Sequence, residues 1–579
     1  MAAAALLLGA VHAWADRHSM DADGISYVEI AHAYARGDWS QVANSYWSPL
    51  YSWLLAAAFV VLRPSVQWEA ATAHLVNFGL YAVAVAGFHF FWSGLLGWCA
   101  MRAQARQAVL PRRMLWAFGY ALFTWSSLVL ITTRMVTPDL GVAASVYWAM
   151  GVMVRIRCGD RRPRQLALLG VILATGYLTK GVMLPMGLVL MTVAAGMGTI
   201  PRRFAPRFAL AAVAFLVIAG PWIGFLSSSK GRLTWGDVAQ RNYAFHVSGA
   251  IPWDHWRGQP PGSGLPAHPS RQISDQPAVF EFAAPIGGSY PLWYDPAYWS
   301  EGVRGVFNRQ GQIKAIQAGL DYYFDLFCVR QAALLAVFIV LAAVARAWRT
   351  LVLGLLESWW LLVPAACGCG IYLLVHVEDR YVGPFVVLLW AALLGAIRLR
   401  ARPGIRNVLV PAYAAALLAL AAPLSYVSLP AVGRLLEDVR RRTDTAPHPQ
   451  WQIASRVQAL GLKPGERVAH VGSGLKNWSY WAHLAGVQII AEIRPGEDFW
   501  MADDMTRQRV LGLLARAGAR ALVAKRPEPL DRPFGRPVTL PDGWQQIGRS
   551  SHYILFLEQA PFRGRTPDES TELTCSTIR

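Results

Sequence analysis

Apolar residues run in long stretches near 1–15, 69–97, 114–133, 139–154, 166–179, 181–200, 208–226, 328–345, 351–375, 381–397 and 408–429. About 20 such residues carry a helix across a bilayer, so the pattern predicts about eleven membrane helices. Residues 16–68, between the first two runs, are expected to form a loop with short amphipathic helices lying at the interface. A second long loop at 227–327 is rich in Gly, Pro and aromatics, among them Trp235, Tyr243, Trp253, Trp256, Tyr290, Trp293, Tyr294 and Trp299. Such rings anchor a chain at a membrane interface or form a flap over a ligand. After residue 430 the period changes. Glu466 to Val471, Val487 to Ile493 and Ala519 to Ala524 read as strands, with helices at 475–485 and 504–517, the alternation of a Rossmann-like layer. The expected architecture is a polytopic α-helical membrane domain over 1–429 followed by an α/β domain over 430–579.

Composition sharpens this picture. At 55% hydrophobic residues the chain is too apolar for an ordinary soluble protein of 579 residues. Its net charge of +19 is concentrated in alternate loops: Arg102, Arg106, Arg112 and Arg113; Arg155 to Arg164; Arg202, Arg203 and Arg207; Arg346 and Arg349; Arg398, Arg400, Arg402 and Arg406. Lys and Arg are retained on the cytoplasmic side of short loops, which puts loops 16–68 and 227–327 and the last domain outside the cytoplasm. The charge therefore reads as topology and contact with anionic lipid, and no module for nucleic acid is visible. Met1 to Ala15, ending Ala13-Trp14-Ala15, has the length of a signal peptide but no basic segment before it; a short first helix is the expectation. The six cysteines show no metal-type spacing. Gly472-Ser473-Gly474 follows a strand, but position 477 is Asn, so no dinucleotide fingerprint is complete; a structural or acceptor-binding role is expected for this domain.

Ionisable residues near a membrane domain are costly and tend to be functional, and four loops on the outer face carry them. The first reads Met20-Asp21-Ala22-Asp23-Gly24-Ile25-Ser26-Tyr27-Val28-Glu29-Ile30-Ala31, then Gly37-Asp38-Trp39. The second is Arg134-Met135-Val136-Thr137-Pro138-Asp139, where Thr as a cap, Pro at the first helical position and Asp139 in the first turn also make a good helix start. The third is Gly176-Tyr177-Leu178-Thr179-Lys180-Gly181, in which a lysine at a helix end can simply snorkel. The fourth is His376-Val377-Glu378-Asp379-Arg380-Tyr381-Val382-Gly383-Pro384, where Glu378–Arg380 or Asp379–Arg380 could be surface pairs.

Together these elements resemble the GT-C superfamily, membrane glycosyltransferases that use polyprenyl-phosphate sugars, and especially the aminoarabinose transferases and protein O-mannosyltransferases. Asp23, Tyr27, Glu29, Ile30, Gly37, Asp38 and Trp39 fall on the pattern of that family's first outer loop. Gly24 stands where the family has Glu, and Trp47-Ser48-Pro49 where aminoarabinose transferases often have Lys-Pro-Pro. Asp139 matches a second acidic residue, Lys180 a Leu-Thr-Lys-Gly element near the donor phosphate, and Arg380-Tyr381 the late-loop motif before Pro384.

The resemblance implies an inverting transfer of sugar from a polyprenyl-phosphate donor to a lipid, glycan or protein acceptor, at the outer face of a bacterial-type inner membrane. Asp23 would be the base and Asp139 would orient the acceptor or assist it. Lys180, Arg380 and Tyr381 would hold the donor phosphate, supported by Asp21, Tyr27, Glu29, Glu378 and Arg134, with Arg241 or Arg134 as the next phosphate candidates. Asp21-x-Asp23 invites a divalent metal without an evident completed ligand set. A carrier of lipid-linked sugars would place its charges near the midplane of broken helices, and a non-enzymatic scaffold would not need these clusters; both remain alternatives.

Overall fold

In a bilayer each backbone N–H and C=O must be satisfied internally, so long apolar runs fold as helices. A computed structural model describes residues 1–579 except 103–109, 199–200, 251–254, 346–347, 400–402, 442–448, 475–478, 526–542, 549 and 558–579. Arg106, Trp253, Arg346, Arg400, Arg402, Asn477 and Cys575 lie outside the described residues. The chain divides into two compact units, one comprising Met1–Ser270, Ala283–Gln452 and Leu475–Leu484, the other Arg271–Phe282, Ile453–Gly474 and Ala485–Arg579.

The first unit is helical and polytopic. Among the described residues six helices are long and apolar enough to span a membrane: Val66–Arg102, Arg112–Ile131, Asp139–Arg157, Phe204–Lys230, Asp379–Ala396 and Arg406–Arg441. Two further pairs, Arg309–Arg330 with Ala332–Ala345 and Arg349–Glu357 with Trp359–Leu373, are bent by 74° and 77° and raise the number to eight if each is one span. Ala2–Ala15, Pro49–Leu62 and Met183–Gly196 are apolar but have only 14 residues each. At 1.5 Å per residue that is roughly 21 Å, short of the ~30 Å hydrocarbon core. The expected runs 1–15, 166–179 and 181–200 form Ala2–Ala15, Pro163–Thr179 and Met183–Gly196, of 14, 17 and 14 residues. These three short helices separate the observed six to eight spans from the eleven apolar runs.

Aromatic packing holds the first spans together. Phe88 stacks on Trp92 and Phe123, with ring centroids 5.4 and 4.8 Å away, and meets Tyr120 and Tyr147 edge-on. Phe88 and these four neighbours sit in one buried core with Val146, Met150 and Met153 of the helix Asp139–Arg157. Rings in these offset and T-shaped arrangements add about 0.5–1.5 kcal/mol per pair beyond burial. The helix from Arg112 ends in a wider π turn, Ser126–Ile131, and Thr132 follows with φ of 63°. Gly383 lets the helix Asp379–Ala396 lie on that turn: a Cβ there would stand 2.8 Å from Ile131 Cγ1 and 3.0 Å from Ser126 Oγ.

The second unit is built on a seven-stranded sheet. Its strands are β1 (Arg271–Asp275), β2 (Ala278–Glu281), β3 (Arg467–Val471), β4 (Gln488–Ile493), β5 (Ala521–Lys525), β6 (Gln545–Gln546) and β7 (His552–Phe556), in the order β1-β2-β4-β3-β5-β7-β6. The β4-β3-β5 core is parallel, and every other pairing is antiparallel, so the sheet is mixed. The central strands are nearly continuous buried runs, as a sheet covered on both faces requires. The hairpin β1-β2 comes from the loop 227–327, with Val279, Phe280 and Glu281 registered against Ile493, Glu492 and Ala491. Of the expected helix 475–485 the described part is Tyr480–Ala485, and the second helix is Asp504–Arg516.

Candidate functional site

The first loop folds as a helix, Ala22–Arg36, because Asp21 caps it. One Asp21 carboxylate oxygen accepts the N–H of Gly24 at 2.8 Å, and the other accepts the N–H of Val136, also at 2.8 Å. This joins loop one to loop two. Gly24 is required by the closeness of the two, since a Cβ there would lie 2.7 Å from Val136 Cβ and 2.8 Å from Met20 Sδ. Burial, and then the neighbouring Asp23 carboxylate, push Asp21 up to about 6. With both oxygens engaged by backbone N–H groups, Asp21 does not offer the Asp-x-Asp metal pair that its spacing invites.

Asp23, one residue into that helix, reaches loop four: Arg380 Nη1 donates to Asp23 Oδ2 at 2.9 Å. Arg380 also donates from Nε to Glu378 at 2.7 Å and from Nη2 to the Tyr381 hydroxyl at 3.3 Å, and its Nη1 stands 3.8 Å from Asp139 Oδ2. Asp139 opens the helix Asp139–Arg157 and is almost wholly buried, at 3% exposure. Lys180 donates to its Oδ1 at 2.6 Å and Thr137 Oγ1 to its Oδ2 at 2.9 Å. The helix begins one residue later than the Thr-Pro start predicts. Pro138 is the flanking residue, and the Thr137 hydroxyl serves the carboxylate instead of capping backbone N–H groups.

Tyr381 forms the floor of this network. Its ring lies 4.0 Å below Lys180 Nζ and stacks on Tyr372 at 5.0 Å, so the lysine has a cation–π contact as well as an ion pair. Burial lowers the affinity of Lys180 for its proton, Asp139 raises it, and nearby Arg380 lowers it; the balance falls below the ordinary lysine value. Glu378 experiences burial too, but His376 and Arg380 outweigh it and hold this carboxyl down to about 2. Tyr27 is buried between Trp47 and Tyr51, each 5.0 Å from its ring. The four loops thus bring Asp21, Asp23, Tyr27, Asp139, Lys180, Glu378, Arg380 and Tyr381 together.

Glu29 and Arg134 go elsewhere. Arg134 is exposed, and its backbone N–H bonds to Thr132. Glu29 accepts the Ser289 N–H at 2.9 Å and a bond from His483 Nδ1 at 3.2 Å. His483 also bonds through Nε2 to Glu69 at 2.8 Å, and the other Glu69 oxygen pairs with His32 at 3.0 Å. The ligand atoms of His32, Glu69 and His483 lie within 4.8 Å of one another, which makes this the metal-type cluster among the described residues. Burial opposes a charge on His483, but Glu29 and Glu69 overcome it and push the imidazole up to about 10. Sequence reasoning misses this cluster. The local hint is Glu69, a carboxylate at the very start of an apolar span. Arg241, named as a phosphate candidate, is buried at 2% exposure on the helix Val238–Tyr243, with Asp237, Asp295 and Glu301 as its electrostatic neighbours.

No protein-family model matches the chain, and no curated protein matches it. Among solved structures it is similar to ArnT from Cupriavidus metallidurans bound to undecaprenyl phosphate, with a TM-score of 0.52 and 13% identity over 96% of this chain and 97% of that one. The apo state of the same ArnT gives 0.47 and 14% over 87% and 88%. The Archaeoglobus fulgidus oligosaccharyltransferase in complex with Zn and sulfate gives 0.44 and 11%, over 90% of this chain and 67% of that one. The chain therefore shares the fold of the ArnT structure.

Proposed function

We propose that this protein is an inverting glycosyltransferase that moves a sugar from a polyprenyl-phosphate carrier to a hydroxyl or amine of a lipid, glycan or protein. It would act at the extracytoplasmic face of a bacterial-type inner membrane. The observation that carries this reading is the Asp23–Arg380 ion pair, which joins positions 357 residues apart and gathers Asp139 and Lys180 into the same network, in a chain with the ArnT-like fold.

The chemistry follows from which atoms are already engaged. Asp23 Oδ2 is held by Arg380, and among the described residues Oδ1 has no donor, which leaves it to take the acceptor's proton. Lys180 spends one of three N–H groups on Asp139. Arg380 is oriented by Glu378 through Nε and keeps N–H groups on its terminal nitrogens for a phosphate oxygen. As the acceptor oxygen bonds to the anomeric carbon, the bond from that carbon to the phosphate oxygen breaks. The proton passes to Asp23, and the charge left on polyprenyl phosphate is stabilised by Lys180 and Arg380. A divalent ion in this reading belongs to His32, Glu69 and His483, whose two imidazoles and one carboxylate are donors suited to zinc.

The test is purified protein given a polyprenyl-phosphate donor with a labelled sugar and a membrane acceptor fraction. Label should move to the acceptor with inversion at the anomeric centre while free polyprenyl phosphate accumulates. Movement of the intact carrier between leaflets without sugar transfer would instead establish a transporter.

A further inference from the structure

Far from the acidic network the first unit contains a cavity of about 530 Å³, within the range of about 300–1,000 Å³ typical of ligand sites. Its body is apolar, including Trp98 and Leu341, with the Tyr413 ring beside them. Its rim carries Arg102, Arg112 and Arg398. Arg102 lies 4.4 Å over the face of Trp98, and Arg102 and Arg398 both pair with Glu357 at the break of a bent helix pair. Two of the three guanidiniums thus share one carboxylate, while Arg112 has no ion-pair partner among the described residues.

The helix Asp379–Ala396 shows where this rim lies. Arg380 sits in its first turn, whereas Ala391 and Leu394 line the cavity near its other end, followed by Arg398. Eighteen residues rise about 27 Å, so the cavity mouth and the acidic network belong to opposite ends of a membrane-length helix. The rim is formed by the arginine-rich loops, the side where anionic headgroups of the cytoplasmic leaflet attract basic residues.

From this geometry we infer that the cavity is a binding site for an anionic phospholipid, which places one acyl chain between Trp98 and Leu341 and its phosphate on Arg102, Arg112 and Arg398. Charge complementarity selects the anionic headgroup, because Glu357 neutralises only one of the three arginines. Volume selects an ordinary acyl chain: at roughly 30 Å³ per water-sized group, the cavity accepts one such chain. The donor carrier is assigned to the opposite end of the helix, so the two lipids do not compete in this scheme. The inference does not rest on the transferase reading.

Delipidated full-length protein titrated with phosphatidylglycerol or phosphatidylcholine and examined by native mass spectrometry tests it. Phosphatidylglycerol should give one saturable adduct, with phosphatidylcholine weaker by about tenfold. Arg112→Gln should weaken phosphatidylglycerol by about tenfold, the scale of one lost charged hydrogen bond, and leave phosphatidylcholine unchanged. Leu341→Trp, which fills the cavity, should remove the adduct while circular dichroism stays helical; if that variant does not fold, Arg112→Gln decides alone. Equal binding of the two lipids, or indifference of the phosphatidylglycerol adduct to Arg112→Gln, would overturn the proposal. So would displacement of phosphatidylglycerol by polyprenyl phosphate at lower concentration, which would assign the cavity to the carrier.

Discussion

At the scale of single residues, the two carboxylates of Asp21-Ala22-Asp23 have separate work. Asp21 accepts two backbone N–H groups, and Asp23 faces Arg380. On the proposed mechanism, Asp23→Asn should abolish sugar transfer and leave the fold intact, because the shape stays and the proposed base is lost. Asp21→Asn should retain transfer but lower the thermal midpoint. An amide cannot accept both bonds, and a buried N–H left without a partner costs about 1–3 kcal/mol. The reverse pattern in a paired assay of transfer and melting would put the base at Asp21. Lys180 and Arg380 both address Asp139, at 2.6 and 3.8 Å, so their effects on the donor should not add. Alanine at either should weaken donor use by about 1.5–3 kcal/mol, and a double-mutant cycle on donor kinetics should show coupling. Strict additivity, or a loss confined to the acceptor, would place the phosphate elsewhere.

At the scale of elements, the site depends on two close approaches: the start of the helix Ala22–Arg36 against the turn holding Val136, and the helix Asp379–Ala396 against Ser126–Ile131. Gly24 makes the first contact, and its departure from the GT-C pattern has a packing reason. Gly24→Glu would write the resembling family's residue into this chain and drive a side chain into Val136. Overpacking of this kind costs about 1–3 kcal/mol. It should also move Asp23 relative to Arg380, so both thermal midpoint and transfer should fall. A Gly24→Glu protein as stable and active as the parent would mean that Val136 is not packed here. The Asp21 cap and the Pro49 start of the helix Pro49–Leu62 are local, each set by residues within one turn of the helix they begin. The pairing of β2 with β4 is not, because β2 is only four residues in a Gly- and Pro-rich loop and finds its partner more than 200 positions later.

At the scale of the whole chain, His483 ties positions more than 400 residues apart through Glu69. The groups facing it are Glu29, Glu69, His32 and the Tyr480 ring. Its folded value of about 10 lies above the ordinary 6.5, so the fold favours the protonated ring. That contribution to stability is complete below about 6.5 and is lost as pH rises through about 10. Thermal midpoints measured across this window should decline, and His483→Gln should flatten the decline. Zinc requires a neutral imidazole, so added zinc should raise the midpoint more as pH rises. A midpoint indifferent to both pH and zinc would remove His483 from any linking role.

By itself the sequence determined that this is a polytopic membrane protein, because apolar length is set by bilayer thickness and needs no tertiary partner. It also marked the loops that carry Asp23, Asp139, Lys180 and Arg380, since charges beside apolar spans stand out against their surroundings. Tertiary structure alone decided which charges meet. Asp21 went to backbone N–H groups, Glu29 left its neighbours for His483, and Glu69 joined His32 and His483. These choices depend on where distant helices begin and end in space, and neither periodicity nor spacing within one segment carries that information.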